Sequence, residues 1–322
     1  MLKPIVSVGI ATHNGAAFIG EAIESLLAQT AGPVQITVVD DGSTDGTPDL
    51  VGRYPQVELI QQSRQGVSKA RNRAAQRAHS DVIAFLDQDD IWEPTLAATL
   101  PRRLLENPDL GLVYADSTII DDHGVEHGTR ANFLDYKSGN VFAALIRANF
   151  IPIETTVLRR ELFERLGGFN ENLSFLEDLD LCLRIAKHHP VEFVSEVLAR
   201  YRIHDRNVSH QIEGLLSEYV DLLHGVADSL AENDPLKKLA RSQEKRRRYE
   251  LAWQRIRRGD RVAASLALAG SGGRVFSPTA LKVSFGQLML RCLPKKTAAK
   301  ICTFLPRRQL YGVANGKESN NF

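Results

Sequence analysis

Short apolar segments alternate with helical patterns over the first hundred residues of the chain. The apolar segments, rich in valine and isoleucine, are residues 5–11, 36–39, 57–60 and 82–86. Between them apolar residues recur at helical spacing, or alanine and arginine dominate. Nearly continuous apolar strands that alternate with helices predict a parallel sheet covered by helices on both faces.

Polar residues follow three of these strands. They are Thr12 and Asn14 after the first, Asp40 and Asp41 after the second, and Asp87, Asp89 and Asp90 after the fourth. Parallel strands end at one edge of a sheet, where ligands of such sheets bind. Clustered carboxylates repel one another unless a cation or donors intervene, and oxygen ligands suit Mg²⁺ or Mn²⁺. The pattern predicts a divalent metal carrying a phosphorylated ligand, although Asp90 is equally explained as a turn or helix cap.

The alternation loosens after Pro94. A strand pattern at residues 112–115 is followed by a turn or hairpin at 121–128, a short helix at 158–166 and strands within 191–202. From about residue 210 the pattern is helical to the end, with a Gly/Ser break at residues 270–273. We therefore expect an α/β domain with an α-helical C-terminal extension.

The charge is distributed unevenly along the chain. Residues 1–234 contain 20 Lys and Arg against 35 Asp and Glu, whereas residues 235–322 contain 20 against 4. In the basic part, apolar residues at 281, 285, 288 and 292 share one helical face. Such a helix is typical of a membrane-surface element, and a helical bundle packed on the acidic domain explains it equally well. Nucleic-acid binding is not expected, because few aromatic residues and no known motif accompany the basic ones.

Several features favour a cytoplasmic protein. Cys182, Cys292 and Cys302 lack metal-binding spacing and cannot all pair, which favours a reducing compartment. His13 and Asn14 directly follow the N-terminal apolar run, without a cleavage site for a signal peptide, and no apolar stretch is long enough to span a membrane. Any membrane contact would be peripheral, on the inner face of the cytoplasmic membrane.

Six segments in order carry a family resemblance: VSVGIATHN, VVDDGSTDGT, GVSKARNRA, DVIAFLDQDD, LGGFNENLSFLEDLDLCLR and YRIHDRNVS. Together they resemble glycosyltransferase family 2, the inverting nucleotide-sugar transferases of GT-A fold, which have a Rossmann-like mixed sheet. The resemblance implies a GT-A domain at residues 1–210 and leaves 211–322 as a helical, basic region. The chain departs from the usual pattern at His13, where Tyr or Phe is common, and at Ala74, where Gly is frequent.

The resemblance implies roles for the polar strand ends. Thr12 and Asn14 would contact the nucleotide, and Asp41 would accept a hydrogen bond from N3–H of uracil or thymine. Arg71 would help to bind the nucleotide, although an exposed Arg on an amphipathic helix explains it equally. The implied metal site consists of Asp89, Asp87 (which could instead bind the ribose) and His204, whose alternative is a simple exposed loop residue.

A second acidic cluster lies at residues 177–180. Glu177 would bind the nucleotide-sugar by resemblance, but its spacing from Ser174 also fits a helix capping box. Asp178 matches the family's general base, which deprotonates the acceptor hydroxyl so that direct attack inverts the anomeric carbon. Asp180 is expected on the solvated face of the helix. Residues 116–160 match the variable, acceptor-recognising part of the family, and no role follows there for Glu154, Arg159 or Arg160.

The sequence therefore predicts a metal-dependent, inverting glycosyltransferase. It would move a sugar from a UDP- or dTDP-linked donor to a carbohydrate or lipid-linked acceptor in cell-surface polysaccharide biosynthesis. A nucleotidyltransferase is the first alternative, but residues 12–18 lack the glycine-rich, basic phosphate loop that it normally needs. The second alternative is a non-catalytic, membrane-associated nucleotide-sugar-binding protein, against which Asp178 argues.

Overall fold

The computed structural model describes residues 3–205 and 211–258, together with residues 260, 263, 267 and 268. Within this part of the chain the strands are β1 (Val6–Thr12), β2 (Val34–Asp41), β3 (Val57–Gln62), β4 (Val82–Asp87), β5 (Ile91–Trp92), β6 (Leu112–Ile120), β7 (Glu126–Thr129), β8 (Val157–Arg159) and β9 (Val191–Arg202). The α-helices are α1 (Ile19–Leu27), α2 (Thr47–Val51), α3 (Val67–Ala75), α4 (Leu96–Glu106), α5 (Phe142–Arg147), α6 (Arg160–Arg165), α7 (Glu177–Ala186), α8 (Ile212–Asp228) and α9 (Pro235–Arg257).

The described strands form one mixed sheet with the order β3-β2-β1-β4-β8-β6-β9-β5, and β7 pairs with β6 outside this path. β1 pairs in parallel with β2 and β4, and β2 pairs in parallel with β3. β8 runs antiparallel between β4 and β6, β9 runs parallel to β6, and β5 runs antiparallel to β9. Strands β3, β2, β1 and β4 therefore form a parallel part of the sheet, and β8, β6, β9 and β5 extend it with mixed directions.

The parallel half confirms the prediction made from the apolar segments, since all four are strands. The register pairs Ala11 with Asp87 and Thr12 with Asp40. The polar residues that follow β1, β2 and β4 consequently meet at one edge of the sheet, as parallel strands require.

The helix predicted at residues 158–166 is wrong in its first part. Val157 and Leu158 belong to strand β8 and are fully buried between β4 and β6, and the helix begins only at Arg160. A short apolar strand and the first turn of a helix cannot be told apart by periodicity alone. The strand at 191–202 and the hairpin at 121–128, closed by a hydrogen bond from Asp121 N to Val125 O, are confirmed.

The chain divides into two compact units. The first contains Met1–Leu145 and Asn149–Val208, and the second contains Ile146–Ala148 and the described residues after 210. In the second unit α8 and α9 pack around Leu216, Leu251 and Ala252, which confirms the expected C-terminal helices. The exact boundary at 210/211, the Gly/Ser break and the amphipathic segment at 281–292 lie outside the described residues. None of the described helices is both long enough and apolar enough for a membrane span.

Close packing of α3 against β1 depends on Gly9. A Cβ atom at Gly9 would lie 2.8 Å from the Cβ of Ala74 and 3.2 Å from the ring of Phe85. Contacts of 2.8 Å between carbon atoms are strongly repulsive, so the helix would have to move away from the sheet. The methyl group of Ala74 packs against the sheet because Gly9 has no side chain.

Gly9→Ala is expected to lower the free energy of unfolding by about 1–3 kcal/mol, because a well-packed core does not accept an added methyl group. Gly20→Ala is the matched control, since its Cβ would meet the Tyr54 hydroxyl at 3.4 Å and Leu50 Cδ2 at 3.7 Å, which are ordinary contact distances. In helix α1 that change should be neutral or stabilising by up to about 1 kcal/mol. Urea unfolding measures both, and equal effects would contradict the packing argument.

Candidate active site

Three aspartates lie together where β4 ends. Asp87, Asp89 and Asp90 each offer a carboxylate oxygen, and these oxygens all lie within 4.8 Å of one another. Burial, followed by the charge of Asp87, raises the pKa of Asp89. Burial and the charges of Asp89 and Glu154 raise the pKa of Asp90 well above its usual range. Like charges held this closely are unfavourable until a cation joins them.

Asp90 is more than the turn cap suggested by the sequence. Its side chain is buried, Oδ1 accepts a hydrogen bond from Arg202 N at 2.9 Å, and Oδ2 is buried without a hydrogen-bond partner. A buried, unpartnered carboxylate oxygen beside two further carboxylates is a donor set that fits a hard divalent cation such as Mg²⁺ or Mn²⁺. The residues present therefore fit the predicted metal.

His204 lies against this cluster. Its Nε2 is 2.9 Å from Asp89 Oδ2, and its ring stacks on Phe18 with centroids 5.1 Å apart. The side chain is only 12% exposed, so the alternative of a simple exposed loop histidine is wrong. Its predicted metal role stays a prediction.

Arg202 supports the same turn, a role that the sequence analysis did not assign to it. It is buried, its Nε donates to Asp89 O at 2.9 Å, and its guanidinium lies 4.7 Å from the ring centroid of Phe18. Phe18 thus contacts both Arg202 and His204, and this packing helps to keep the imidazole beside Asp89. The signal in the sequence was the neighbourhood of Arg202 to His204 in YRIH.

Asp41 is buried at the end of β2 and well supplied with donors. Its Oδ1 accepts from Gln62 Nε2 and Gln65 N, both at 2.7 Å, and its Oδ2 accepts from Gly66 N at 2.8 Å. An ionised carboxylate has about four acceptor positions, so Asp41 can accept one more hydrogen bond. This leaves the predicted role in reading the base open to it.

Asn14 has a left-handed backbone with φ of 52°. Its side-chain Oδ1 accepts from Thr44 N at 2.8 Å and its N donates to Ser43 Oγ at 2.8 Å. These bonds join the loop after β1 to the loop after β2. The exposed residue lies in the region where a nucleotide contact was predicted, and the contact itself stays a prediction.

Thr12 is buried and its hydroxyl contacts Gln88. Thr12 Oγ1 donates to Gln88 Oε1 at 2.6 Å, and His13 N donates to the same oxygen at 3.0 Å. Gly15 leaves room for this contact, since a Cβ there would be 2.3 Å from Gln88 Oε1. Gln88, which stands between two of the aspartates and was missed by the sequence analysis, therefore fastens the acidic turn to the loop after β1.

Arg71 is buried, with 3% of its side chain exposed, and pairs with two carboxylates. One nitrogen contacts Asp87, and Nη1 donates to Glu177 Oε1 at 2.6 Å. Burial works against its charge, but Asp87 and Glu177 outweigh burial and raise the pKa of Arg71. The alternative of an exposed helical arginine is wrong.

Glu177 is not a capping-box residue. Helix α7 begins at Glu177 itself, Leu176 is the N-cap, and no side chain caps the helix. The Glu177 side chain is buried and used by Arg71, while its Oε2 is buried without a hydrogen-bond partner. Its predicted role in binding the nucleotide-sugar stays a prediction.

Asp178 follows in the first turn of α7. Leu179 N donates to its Oδ1 at 2.6 Å, and Asn149 Nδ2 donates to its Oδ2 at 3.1 Å. Burial and the charge of Glu177 raise the pKa of Asp178 to about 7, whereas the Leu179 N–H, Arg71 and Asn149 lower it. A carboxylate that titrates near neutral pH can both take up and release a proton under working conditions.

Asp180 is not on a freely solvated face, because it pairs with Arg184 at 2.6 Å and is only 14% exposed.

Glu154, for which the sequence suggested no role, is buried and accepts from Ser117 Oγ at 2.9 Å and Arg130 Nη1 at 2.7 Å. It joins β6 to the segment after β7. Arg159 donates to Leu104 O, Arg160 donates to Ser80 O, and both fasten the ends of neighbouring elements.

Comparison with known proteins identifies a matching family and several relatives of this chain. A family model described as glycosyl transferase family 2 matches residues 7–167. Chondroitin synthase of Escherichia coli is 27% identical over 210 residues, which are 64% of this chain and 30% of that protein's length. The chain thus spans less than a third of this relative.

Two solved structures share the fold. A mannosyltransferase of Pyrobaculum calidifontis in complex with GDP-Man and Mn²⁺ has a TM-score of 0.59 at 21% identity, with 98% of this chain and 89% of that chain covered. S. aureus TarS, residues 1–349 in complex with UDP-GlcNAc, has a TM-score of 0.57 at 17% identity, with 91% and 83% covered. These likenesses confirm the GT-A fold, and the family match over half of the chain identifies it as a member of glycosyl transferase family 2.

Proposed function

We propose that the protein is a metal-dependent, inverting glycosyltransferase that moves a sugar from a UDP- or dTDP-linked donor to a carbohydrate or lipid-linked acceptor. The observation that carries the proposal is the Arg71 side chain, which contacts both Asp87 of the acidic turn and Glu177 beside Asp178. One guanidinium therefore separates the candidate metal site from the candidate base. Transfer needs these two functions at neighbouring positions.

Donor binding is assigned to the loops after β1 and β2. Asp41 keeps capacity for one more hydrogen bond, and N3–H of uracil or thymine supplies the donor. Exposed Asn14 lies on the neighbouring loop and is joined to the β2 loop through Thr44. The UDP-GlcNAc bound by TarS supports a uridine donor, whereas the GDP-Man bound by the mannosyltransferase makes guanosine the competitor to test.

The metal is assigned to Asp87 and Asp89, with Asp90 and His204 beside them. When bound there, Mn²⁺ or Mg²⁺ would act as a Lewis acid that neutralises charge on the departing diphosphate. The Mn²⁺ in the mannosyltransferase complex supports this assignment. The protein's own contribution is the fixed position of the turn, which Gln88 and Arg202 hold.

Asp178 acts as the general base. It takes the proton of an acceptor hydroxyl as that oxygen bonds to the anomeric carbon, and the bond from this carbon to the diphosphate breaks with its electron pair on the diphosphate. A single displacement of this kind inverts the anomeric configuration. Protonated Asp178 then returns its proton to solvent, which a pKa of about 7 permits near neutral pH.

The acceptor is assigned to carbohydrate, free or lipid-linked, within cell-surface polysaccharide synthesis, as the chondroitin synthase relative suggests. Peripheral contact of the C-terminal helices with the inner face of the cytoplasmic membrane would bring the enzyme to a lipid-linked acceptor. The exposed basic residues of α9 include Lys238 and Arg257. Basic residues near an anionic lipid surface each contribute about 1 kcal/mol to binding.

Asp178→Asn is expected to reduce turnover by roughly 10²–10⁴-fold, because the amide cannot accept the hydroxyl proton. Asp180→Asn is the matched control in the same helical turn and should keep turnover. Release of nucleoside diphosphate, with water or sugar acceptors, measures both variants. A nucleotide-sugar sensor would bind the donor but release no nucleoside diphosphate in a way that depends on Asp178. Donor binding without such turnover would reject the enzyme proposal.

Asp89→Asn is expected to remove metal-dependent stabilisation by the donor nucleotide. Thermal unfolding is measured with UDP, dTDP, GDP and CMP, with and without Mn²⁺. A nucleotide at a hundredfold excess over its dissociation constant raises the free energy of unfolding by about 2.7 kcal/mol. UDP or dTDP should stabilise the wild-type protein in this way only when the metal is present. Asp81→Asn, at the opposite end of β4 and exposed, should behave as wild type. If GDP were the only nucleotide that stabilises the protein, the donor would be a guanosine nucleotide-sugar. If no nucleotide stabilised it, the proposed donor site would be wrong.

The double substitution Lys238→Gln with Arg257→Gln is expected to weaken binding to phosphatidylglycerol vesicles roughly 30-fold, because two lipid-facing charges are lost. Binding should also weaken with salt and be absent on phosphatidylcholine vesicles. Arg53→Gln with Arg102→Gln, two exposed residues of the first unit, is the charge-matched control. Vesicle co-sedimentation decides, and equal binding of both double variants would contradict a membrane role for α9.

A further inference from the structure

Asn149 lies outside every motif of the sequence, yet its side chain contacts the candidate base. Its Nδ2 donates to Asp178 Oδ2 at 3.1 Å. The residue stands between α5 and β8, 29 positions before Asp178 in the chain. A polar contact between an irregular segment and a carboxylate in a helical first turn requires an explanation, because nothing in helix geometry produces it.

The amide of Asn149 is held in one orientation. Ile151 N donates to Asn149 Oδ1 at 3.4 Å, and the two following residues, Phe150 and Ile151, are 4% and 2% exposed. A rotated amide would lose the bond from Ile151 and turn its oxygen toward a carboxylate oxygen of Asp178. The donor nitrogen is therefore the atom that faces Asp178.

A fixed donor distinguishes the two protonation states of Asp178. The ionised carboxylate accepts from both Asn149 and Leu179 N, whereas a protonated carboxyl would need an acceptor for its own hydrogen. Hydrogen bonds to the charged form favour that form. With two donors in place, about two acceptor positions of the carboxylate are left for an acceptor hydroxyl.

Charged and titratable groups surround Asp178 from two helices. Helix α7 contributes Glu177 and Cys182, and α3 contributes Arg71. The Arg71 charge is shared with Asp87 and Glu177, so its effect on Asp178 is partly cancelled. Asn149 instead acts on Asp178 by a direct hydrogen bond. Its amide is neutral, so binding of the charged donor does not change this effect.

We propose that Asn149 is the positioning residue of the base: its side-chain amide favours the ionised form of Asp178 and turns the free side of the carboxylate toward the acceptor hydroxyl. The inference rests on the proposed function, in which Asp178 is the base. It assigns a specific task to a segment that family patterns leave variable.

The pH dependence of turnover tests this assignment. Turnover needs ionised Asp178, so it falls as pH drops through a midpoint of about 7 in the wild type. Asn149→Leu, of similar size without a donor, should move the midpoint upward by about one to two pH units. At pH 9.5 its turnover should stay within about tenfold of wild type. Asn149→Asp should move the midpoint further, because it adds a like charge.

The exposed Asn172→Leu is the matched control and should leave the profile unchanged. An Asn149→Leu profile that coincides with wild type would overturn the proposal. Equal loss of turnover at every pH would also overturn it, because that result means a structural role without influence on the ionisation of Asp178.

A second measurement does not depend on activity. The raised folded pKa of Asp178 means that the folded state binds more protons than the unfolded state between about pH 4 and 7, so stability falls as pH rises through this window. Asn149→Leu should extend that fall to higher pH in urea unfolding, and the extension should vanish in Asp178→Asn. An extension that persists in Asp178→Asn would overturn the contact.

The two measurements separate the inference from the function on which it rests. If Asp178→Asn keeps full turnover, Asp178 is not the base, and the proposed function fails whatever the unfolding shows. If Asp178→Asn is inactive and Asn149→Leu leaves both pH dependences unchanged, the function stands and the inference about Asn149 fails.

Discussion

The buried guanidinium of Arg71 holds together the two halves of the candidate site. It contacts Asp87 at the end of β4 and Glu177 at the start of α7, residues that lie far apart in the chain. A buried charge is tolerated only with partners, and breaking such a group costs about 3–5 kcal/mol. Without Arg71, the buried Glu177 would lose its cation and the partly exposed Asp87 would lose its partner. The position of Asp178 relative to the acidic turn therefore depends on this one cation.

Burial raises the pKa of both groups of acids, but the surroundings give the groups different chemistry. Burial and the charge of Asp87 raise the pKa of Asp89, and burial and the charges of Asp89 and Glu154 raise that of Asp90, so a cation is what relieves the repulsion. The pKa of Asp178 is raised by burial and by the charge of Glu177, but its carboxylate accepts hydrogen bonds from neutral donors, so it can still titrate. Environments that separate the tasks of similar carboxylates are how one site provides both charge stabilisation and proton transfer.

The sequence could predict the strand ends and could not predict their cross-connections. Apolar strands of known direction carry their final residues to one edge, so the placement of Asp41 and Asp87 at the same edge follows from topology alone. The burial of Arg71 does not, because helical periodicity within α3 leaves its partner 106 residues away unspecified. Family resemblance named Asp178, but it had no pattern for Asn149, which lies in an irregular segment. Local signals predict elements, whereas contacts between distant irregular segments depend on packing.

Residues at one sheet edge divide into those that fasten loops and those that remain for a ligand. The Thr12 hydroxyl donates a hydrogen bond to Gln88, and Asn14 Oδ1 accepts one from Thr44 N. Both side chains therefore already connect neighbouring loops. Asp90 Oδ2, by contrast, is buried without a partner. The Thr12 hydroxyl thus helps to position the acidic turn through Gln88, and its predicted contact with the nucleotide stays a prediction. A polar residue at the right strand end is thus necessary for a site of this kind, and only its hydrogen-bond partners reveal whether it binds the ligand or positions the residue that does.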